Sequence, residues 1–176
     1  MTDKGIFQLA CKYRTAIDEA FNNGEFRSLR PFNNFPYGCC GETSYLLAEY
    51  LRRHRIHTLW ISNNRDDWSH AWLVVKDKRV TTPEPIVHDL SEIADVLKGY
   101  GCDNSIMVND NYSYEDIENG LIIDITSDQF DDYNLPVYVD YMDEFHESFD
   151  FLRAVNLSKE GYPYDREIYS IVDKYL

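Results

Sequence analysis

Apolar residues recur every three or four positions from about Gly5 to Phe21: Ile6, Leu9, Ala10, Tyr13, Ile17, Ala20 and Phe21 fall on one face. This spacing predicts a helix that Asn22-Asn23-Gly24 stops. Residues Glu25 to Gly38 carry no period but are rich in rings, with Phe26, Phe32, Phe35 and Tyr37, so this loop is expected to pack down onto a core. From Glu42 to about His54 the helical period returns through Thr43, Leu46, Leu47, Tyr50 and Leu51. Ile56 to Ser62 reads as a strand, Asn63 to Asp67 as a polar loop, and Ser69 to Val75 as a second strand with His70, Trp72 and Val74 on one face.

The pattern then weakens. Between Lys76 and Asn119 there is a turn-rich break at Thr81 to Pro85. A short helix is expected over Leu90 to Leu97, capped by Asp89 and ended near Gly99, followed by the apolar run Ile106-Met107-Val108. More than 40 such residues are long for a plain connection, and the segment is expected to lie over or beside a site. Gly120 to Thr126 is the clearest strand in the chain, with Asp124 interrupting its apolar run, and Val137-Tyr138-Val139 suggests another. Phe145 to Val155 and Asp165 to Leu176 are expected to close the chain as helices.

Composition narrows the classes. The 176 residues are enough for one domain with a real core, and no repeat or linker divides them. No stretch approaches the roughly 20 apolar residues of a membrane span, and no secretory pattern opens the chain, so a cytoplasmic location and no membrane partner are expected. With 31 acidic and 17 basic residues the formal charge is −14, which would repel phosphate backbones and makes nucleic acid a poor partner. A field of that sign favours cationic substrates. Cys11, Cys39, Cys40 and Cys102 form no CxxC pair and read as reduced thiols; no cofactor is implied and no structural zinc is expected.

Three residues carry chemistry if they meet. Cys40 stands where a loop becomes a helix, and free N–H groups and the helix dipole stabilise an anion there. His70 starts a strand, and Asp124 places a carboxylate where a sheet centre is expected, which is costly unless it is paired. The order Cys, His, Asp on helix start, strand and next strand is compatible with nucleophilic thiol chemistry, in which an imidazole carries the proton and a carboxylate orients the imidazole. The plain alternatives are a buried structural cysteine and a satisfied core carboxylate. A metal site on the same three residues is a further alternative. His54, His57, His88 and His146 show no ligand spacing, and Trp60, Trp68 and Trp72 read as core or site walls.

The blocks Gly38-Cys39-Cys40-Gly41-Glu42-Thr43-Ser44, Ser69-His70-Ala71-Trp72 and Ile123 to Phe130 resemble those of the transglutaminase-like branch of the papain-like cysteine enzymes. The resemblance covers residues 35 to about 139 and departs from the pattern in the long segment 76–119. It implies an α+β fold with a papain-like core, in which the nucleophile helix packs on an antiparallel sheet. It also implies Cys40 as nucleophile in preference to Cys39, His70 as general base and Asp124 as orienting carboxylate. Asn34, six positions before Cys40, and Gln129 are the candidates for a side-chain oxyanion donor. The activity implied is acyl transfer from the amide of a peptide or protein, by hydrolysis, deamidation or cross-linking. A non-catalytic binding module or immunity-type protein is the competing class, to which the acidity and the 14 tyrosines lend weight.

Overall fold

The computed structural model describes residues 2–75, 117, 119–156 and 165–176, without the side chains of 151–153 and 156. The first helix, α1 (Asp3–Asn22), starts where Thr2 Oγ1 accepts the Gly5 N–H, and buries Ile6, Ala10, Tyr13, Ile17 and Ala20 at the spacing read from the sequence. It ends at Gly24, whose φ of +76° is a conformation glycine takes without Cβ strain. The following loop does pack down: Phe26, Phe32 and Phe35 are buried, and Phe32 stacks on Phe35 with ring centroids 6.1 Å apart. The second helix, α2 (Cys40–Arg53), buries Leu46, Leu47, Tyr50 and Leu51.

The hairpin that follows is longer than its polarity suggests. Strand β1 (Thr58–Arg65) and strand β2 (Trp68–Val75) pair antiparallel through Arg65 and Trp68, leaving only Asp66 and Asp67 in the turn. Asn63 and Asn64, expected in a loop, pair with His70 and Ser69. Asp66 takes the left-handed backbone (φ +54°) that a two-residue hairpin turn demands and that aspartate tolerates. Strand β3 (Leu121–Asp124) joins the other side of β2, and β4 (Tyr138–Asp140) closes that edge. The expected helix and apolar run between Leu90 and Val108 lie outside the described residues, as does nearly all of the 76–119 segment.

The Phe145–Val155 helix is a misreading. A single turn, α3 (Glu144–Glu147), forms under the Asp143 cap, and Ser148 Oγ then bonds back to the Phe145 carbonyl at 2.6 Å. The chain continues as β5 (Asp150–Asn156), which pairs with β1. The open edge of β1 supplies backbone partners that outweigh local helix preference. Helix α4 (Arg166–Asp173), capped by Asp165, ends the fold near the expected place.

The architecture is α+β: an antiparallel sheet of five described strands in the order β4-β3-β2-β1-β5, with four described helices. Strand alternation splits the core. Trp60, Ala71, Leu73 and Ile123 share a cluster with α1, α2 and α4. Leu59, Ile61, Trp72, Val74 and Ile122 face a smaller cluster with Phe130, Phe145 and Phe149. No described helix is long and apolar enough to cross a membrane.

Arg14 fastens α1 to the segment after β3. Its guanidinium donates to both oxygens of Asp128 at 2.9 and 2.7 Å, to both oxygens of Asp18, and to the carbonyls of Ile125 at 2.7 Å and Pro136 at 3.0 Å. It also lies 4.6 Å over the Phe35 ring. Removing one partner of a buried ion pair leaves the other charge uncompensated, at about 3–5 kcal/mol. Arg14→Met is therefore expected to lose up to about that much in urea denaturation, Asp128 being 16% and Asp18 42% exposed. Arg14→Lys should recover only part, because an ammonium cannot reproduce the planar fork; full recovery by lysine would show that charge alone matters here.

Candidate active site

Cys40 is the first residue of α2, and Cys39 before it supplies no side-chain cap. The N–H groups of that first turn are therefore left uncapped by the residue that ordinarily serves them. The loop leading in turns at Gly38 (φ +69°), where an L side chain would be strained. Cys40 is half-buried, with Sγ 4.0 Å from the Ser69 carbonyl oxygen, one residue before His70. One helical turn on, Ser44 Oγ donates to the Ala71 carbonyl at 3.1 Å, so α2 is bonded to β2 on both sides of His70. Cys39 is fully buried, its Sγ turned back to the Pro36 carbonyl at 3.1 Å, and burial pushes its thiol up to about 12.

His70 is 1% exposed and enclosed by rings: Phe130 at 4.9 Å, Trp72 and Phe149 at 5.5 Å, and Phe145 at 6.2 Å between centroids. Its Nε2 lies 2.6 Å from Asp124 Oδ2. Asp124, 1% exposed at the end of β3, fills its other oxygen with the Thr126 N–H at 2.9 Å and the Thr126 hydroxyl at 3.2 Å. A carboxylate accepts only, so Nε2 carries a proton, and in the neutral ring Nδ1 is the accepting nitrogen. Burial alone would drive His70 downward. The charge and hydrogen bond of Asp124, with a smaller contribution from Cys40, overcome it and raise His70 to about 9. Asp124 is held far below the carboxylate range: burial opposes this, but the charge and hydrogen bond of His70, with the nearness of His146, prevail.

Gln129 bridges the two halves of the site. Its Nε2 donates to the Thr126 carbonyl at 3.0 Å and faces His70 Nδ1 at 3.2 Å, while Oε1 accepts the Gly38 N–H at 3.3 Å. The amide therefore favours the neutral ring, against the pull of Asp124. Asn34 is exposed in the 3₁₀ turn Phe32–Asn34. Of the two amide candidates, only Gln129 contacts the histidine.

His146, passed over in the sequence, faces the same carboxylate. Its Nε2 lies 3.5 Å from Asp124 Oδ2, and its Nδ1 is 2.6 Å from Asp143 Oδ1. The legible signal was Asp143 three residues ahead of it, at capping distance in front of a short apolar run. Trp72 is a buried wall packed against both histidines, Trp60 is buried core stacked on Tyr45, and Trp68 is 66% exposed beside the hairpin turn at the start of β2. Among the described residues no group of three His, Cys, Asp or Glu side chains is placed to hold a metal ion. No protein-family model, curated protein or solved structure matches this chain.

The sign of the His70 shift fixes a pH dependence. Its folded value of about 9 exceeds the ordinary 6.5, so its stabilisation is complete below about pH 6.5 and lost as pH rises through about 9. Asp124, shifted down, contributes above its ordinary 3.8 and weakens only in strong acid, outside that window. The urea midpoint should fall between pH 6.5 and 9. Part of that slope should vanish in Asp124→Asn, a control needed because ionisation of Cys39 on unfolding adds to the alkaline loss. An identical slope in the variant would separate His70 titration from its pairing with Asp124.

Proposed function

We propose that this chain is a thiol-dependent acyl-transfer enzyme acting on amide bonds, similar in plan to the transglutaminase-like papain superfamily. The observation that supports it best is the buried Asp124–His70 pair at 2.6 Å, on the strand whose Ser69 carbonyl lies 4.0 Å from the Cys40 sulfur. In the proposed reaction the Cys40 proton passes to His70 Nδ1 while Asp124 keeps Nε2–H in place. The sulfur attacks the amide carbon, and the oxyanion that forms meets N–H groups at the start of α2. His70 then gives its proton to the leaving nitrogen, and a thioester remains on Cys40. Water releases an acid from that thioester; an amine acceptor would instead yield a new amide. The substrate is a peptide or protein, and the surplus negative charge favours a cationic one.

One observation favours a second reading, a papain-like module that binds without turnover. The His70 Nδ1 edge is occupied by the Gln129 amide, and the Cys40 sulfur leans toward a carbonyl instead. In the enzymatic reading this contact opens when substrate enters, since such bonds often tighten only in the reacting complex.

Iodoacetamide labelling across pH, with mass-spectrometric mapping, separates the two. An enzyme of this design should label fastest at Cys40 among Cys11, Cys39, Cys40 and Cys102. Asp124→Asn should slow Cys40 labelling about tenfold or more, with tautomer control lost, while the fold is kept. A native protein in which Cys40 stays inert while Cys11 or Cys102 reacts would overturn the proposal, and unchanged Cys40 reactivity in Asp124→Asn would remove Asp124 from it.

A further inference from the structure

We propose that His146 is a positioning residue that acts on His70 through Asp124, the two histidines sharing one carboxylate oxygen. The inference rests on the reading of His70 as the proton carrier of the site. Its starting point is a mismatch in hydrogen bonding. The His146 side chain is fully buried, and its Nδ1 lies 2.6 Å from Asp143 Oδ1. Asp143 also accepts the His146 N–H at 3.0 Å and, on its other oxygen, the Tyr133 hydroxyl at 2.6 Å. These donors keep it a carboxylate, so His146 Nδ1 must carry the hydrogen. The second nitrogen, Nε2, closes no hydrogen bond among the described residues, and Asp124 Oδ2 stands 3.5 Å away. In the neutral ring that nitrogen presents a lone pair to a carboxylate oxygen; in the protonated ring it presents a donor.

The oxygen it faces is already in use. Asp124 Oδ1 is filled by Thr126, and Oδ2 is the acceptor for His70 Nε2–H at 2.6 Å. Both imidazoles therefore converge on Oδ2, in a site where neither ring nor carboxylate meets water. A proton gained by His146 draws on the same lone pairs and sets a second positive ring beside the first. His70 then releases its proton more readily. Across the pair, His146 acts as a brake on the basicity that Asp124 confers.

Packing prevents escape from this geometry. His146 lies edge-on to Trp72 of β2 at 5.0 Å and tilted against Tyr138 of β4 at 4.7 Å. The titratable groups facing it are Asp143 from its own cap, Asp124 from β3, Tyr133 ahead of β4, Tyr138 from β4, and His70 across Asp124. Burial and the neighbouring Asp143 carboxylate raise both tyrosines, so neither supplies a competing charge in the neutral range.

The test is an NMR titration of ¹⁵N-histidine-labelled protein, wild type against His146→Phe and His146→Gln. In the wild type, the His70 curve should show two steps. In His146→Phe the His70 curve should collapse to one step, its midpoint raised by about one unit. In His146→Gln, which still offers Asp124 a neutral donor, it should also become a single step but with a smaller rise. A wild-type His70 curve of one step, or one unmoved in a folded His146→Phe, would overturn the proposal. Should both variants fail to fold, the wild-type curves alone decide, since independent single steps defeat it. Cys40 alkylation measured on the same samples keeps the two readings apart. Coupled histidines with an inert Cys40 would uphold the pair and defeat the enzymatic function.

Discussion

A carboxylate cannot be left in the dry interior of a sheet without donors, and the site is arranged to meet that demand at Asp124. Desolvating an unpaired ion of this kind costs several kcal/mol. Three donor groups converge on it, the backbone and hydroxyl of Thr126 and the imidazole of His70, and the imidazole of His146 stands nearby. Each is fixed by structure made for another purpose. Thr126 follows β3 directly, His70 is held by β-pairing, and His146 by the cap that begins α3. The histidine orientation on which the proposed chemistry turns thus follows from the need to satisfy one buried charge.

The same demand recurs at Arg14, with the sign reversed. A guanidinium that is 7% exposed finds acceptors at Asp18, Asp128, Ile125 and Pro136. Residues 125–129 are therefore held at both ends, by Arg14 through Ile125 and Asp128 and by Asp124 through Thr126. Gln129 closes that stretch and contacts both His70 and the loop ahead of Cys40. A substitution on α1 can thereby disturb the histidine without touching it. The net charge of −14 has little part in this, because the buried charges settle locally with partners and charges in solvent are screened within about 8–10 Å.

Periodicity made most of the fold legible. The inward faces of α1 and α2, and the face that His70 shares with Trp72 and Val74, follow from spacing alone. What spacing could not supply was pairing. The run from Phe149 to Val155 has residues either element accepts, and only the vacant edge of β1 selects the strand. The loop assigned to Asn63 and Asn64 failed similarly, since asparagine is a turn former until His70 and Ser69 offer it a ladder. Arg14 sits between Tyr13 and Ile17 on the buried stripe of α1, a polar residue at an inward position, and that was a readable signal of a buried ion pair. His146 carried a weaker one, since a lone histidine in a chain of five says nothing until a second carboxylate is found beside it.

The placement of Gln129 bears on how an oxyanion could be held. An amide offers two hydrogens, and here one is given to the Thr126 carbonyl while the nitrogen also faces His70 Nδ1, the oxygen meanwhile accepting from Gly38. To stabilise a developing oxyanion it would have to abandon one of these, and reorganisation at the moment of reaction is what efficient electrostatic stabilisation avoids. The N-terminus of α2 needs no such change. Cys39 offers that turn no side-chain cap, its sulfur being turned away to Pro36. The helix dipole adds to the same end. The group best prepared for a negative oxygen beside Cys40 is therefore backbone, not side chain. The amide is better suited to hold the histidine edge and the Gly38 turn in register.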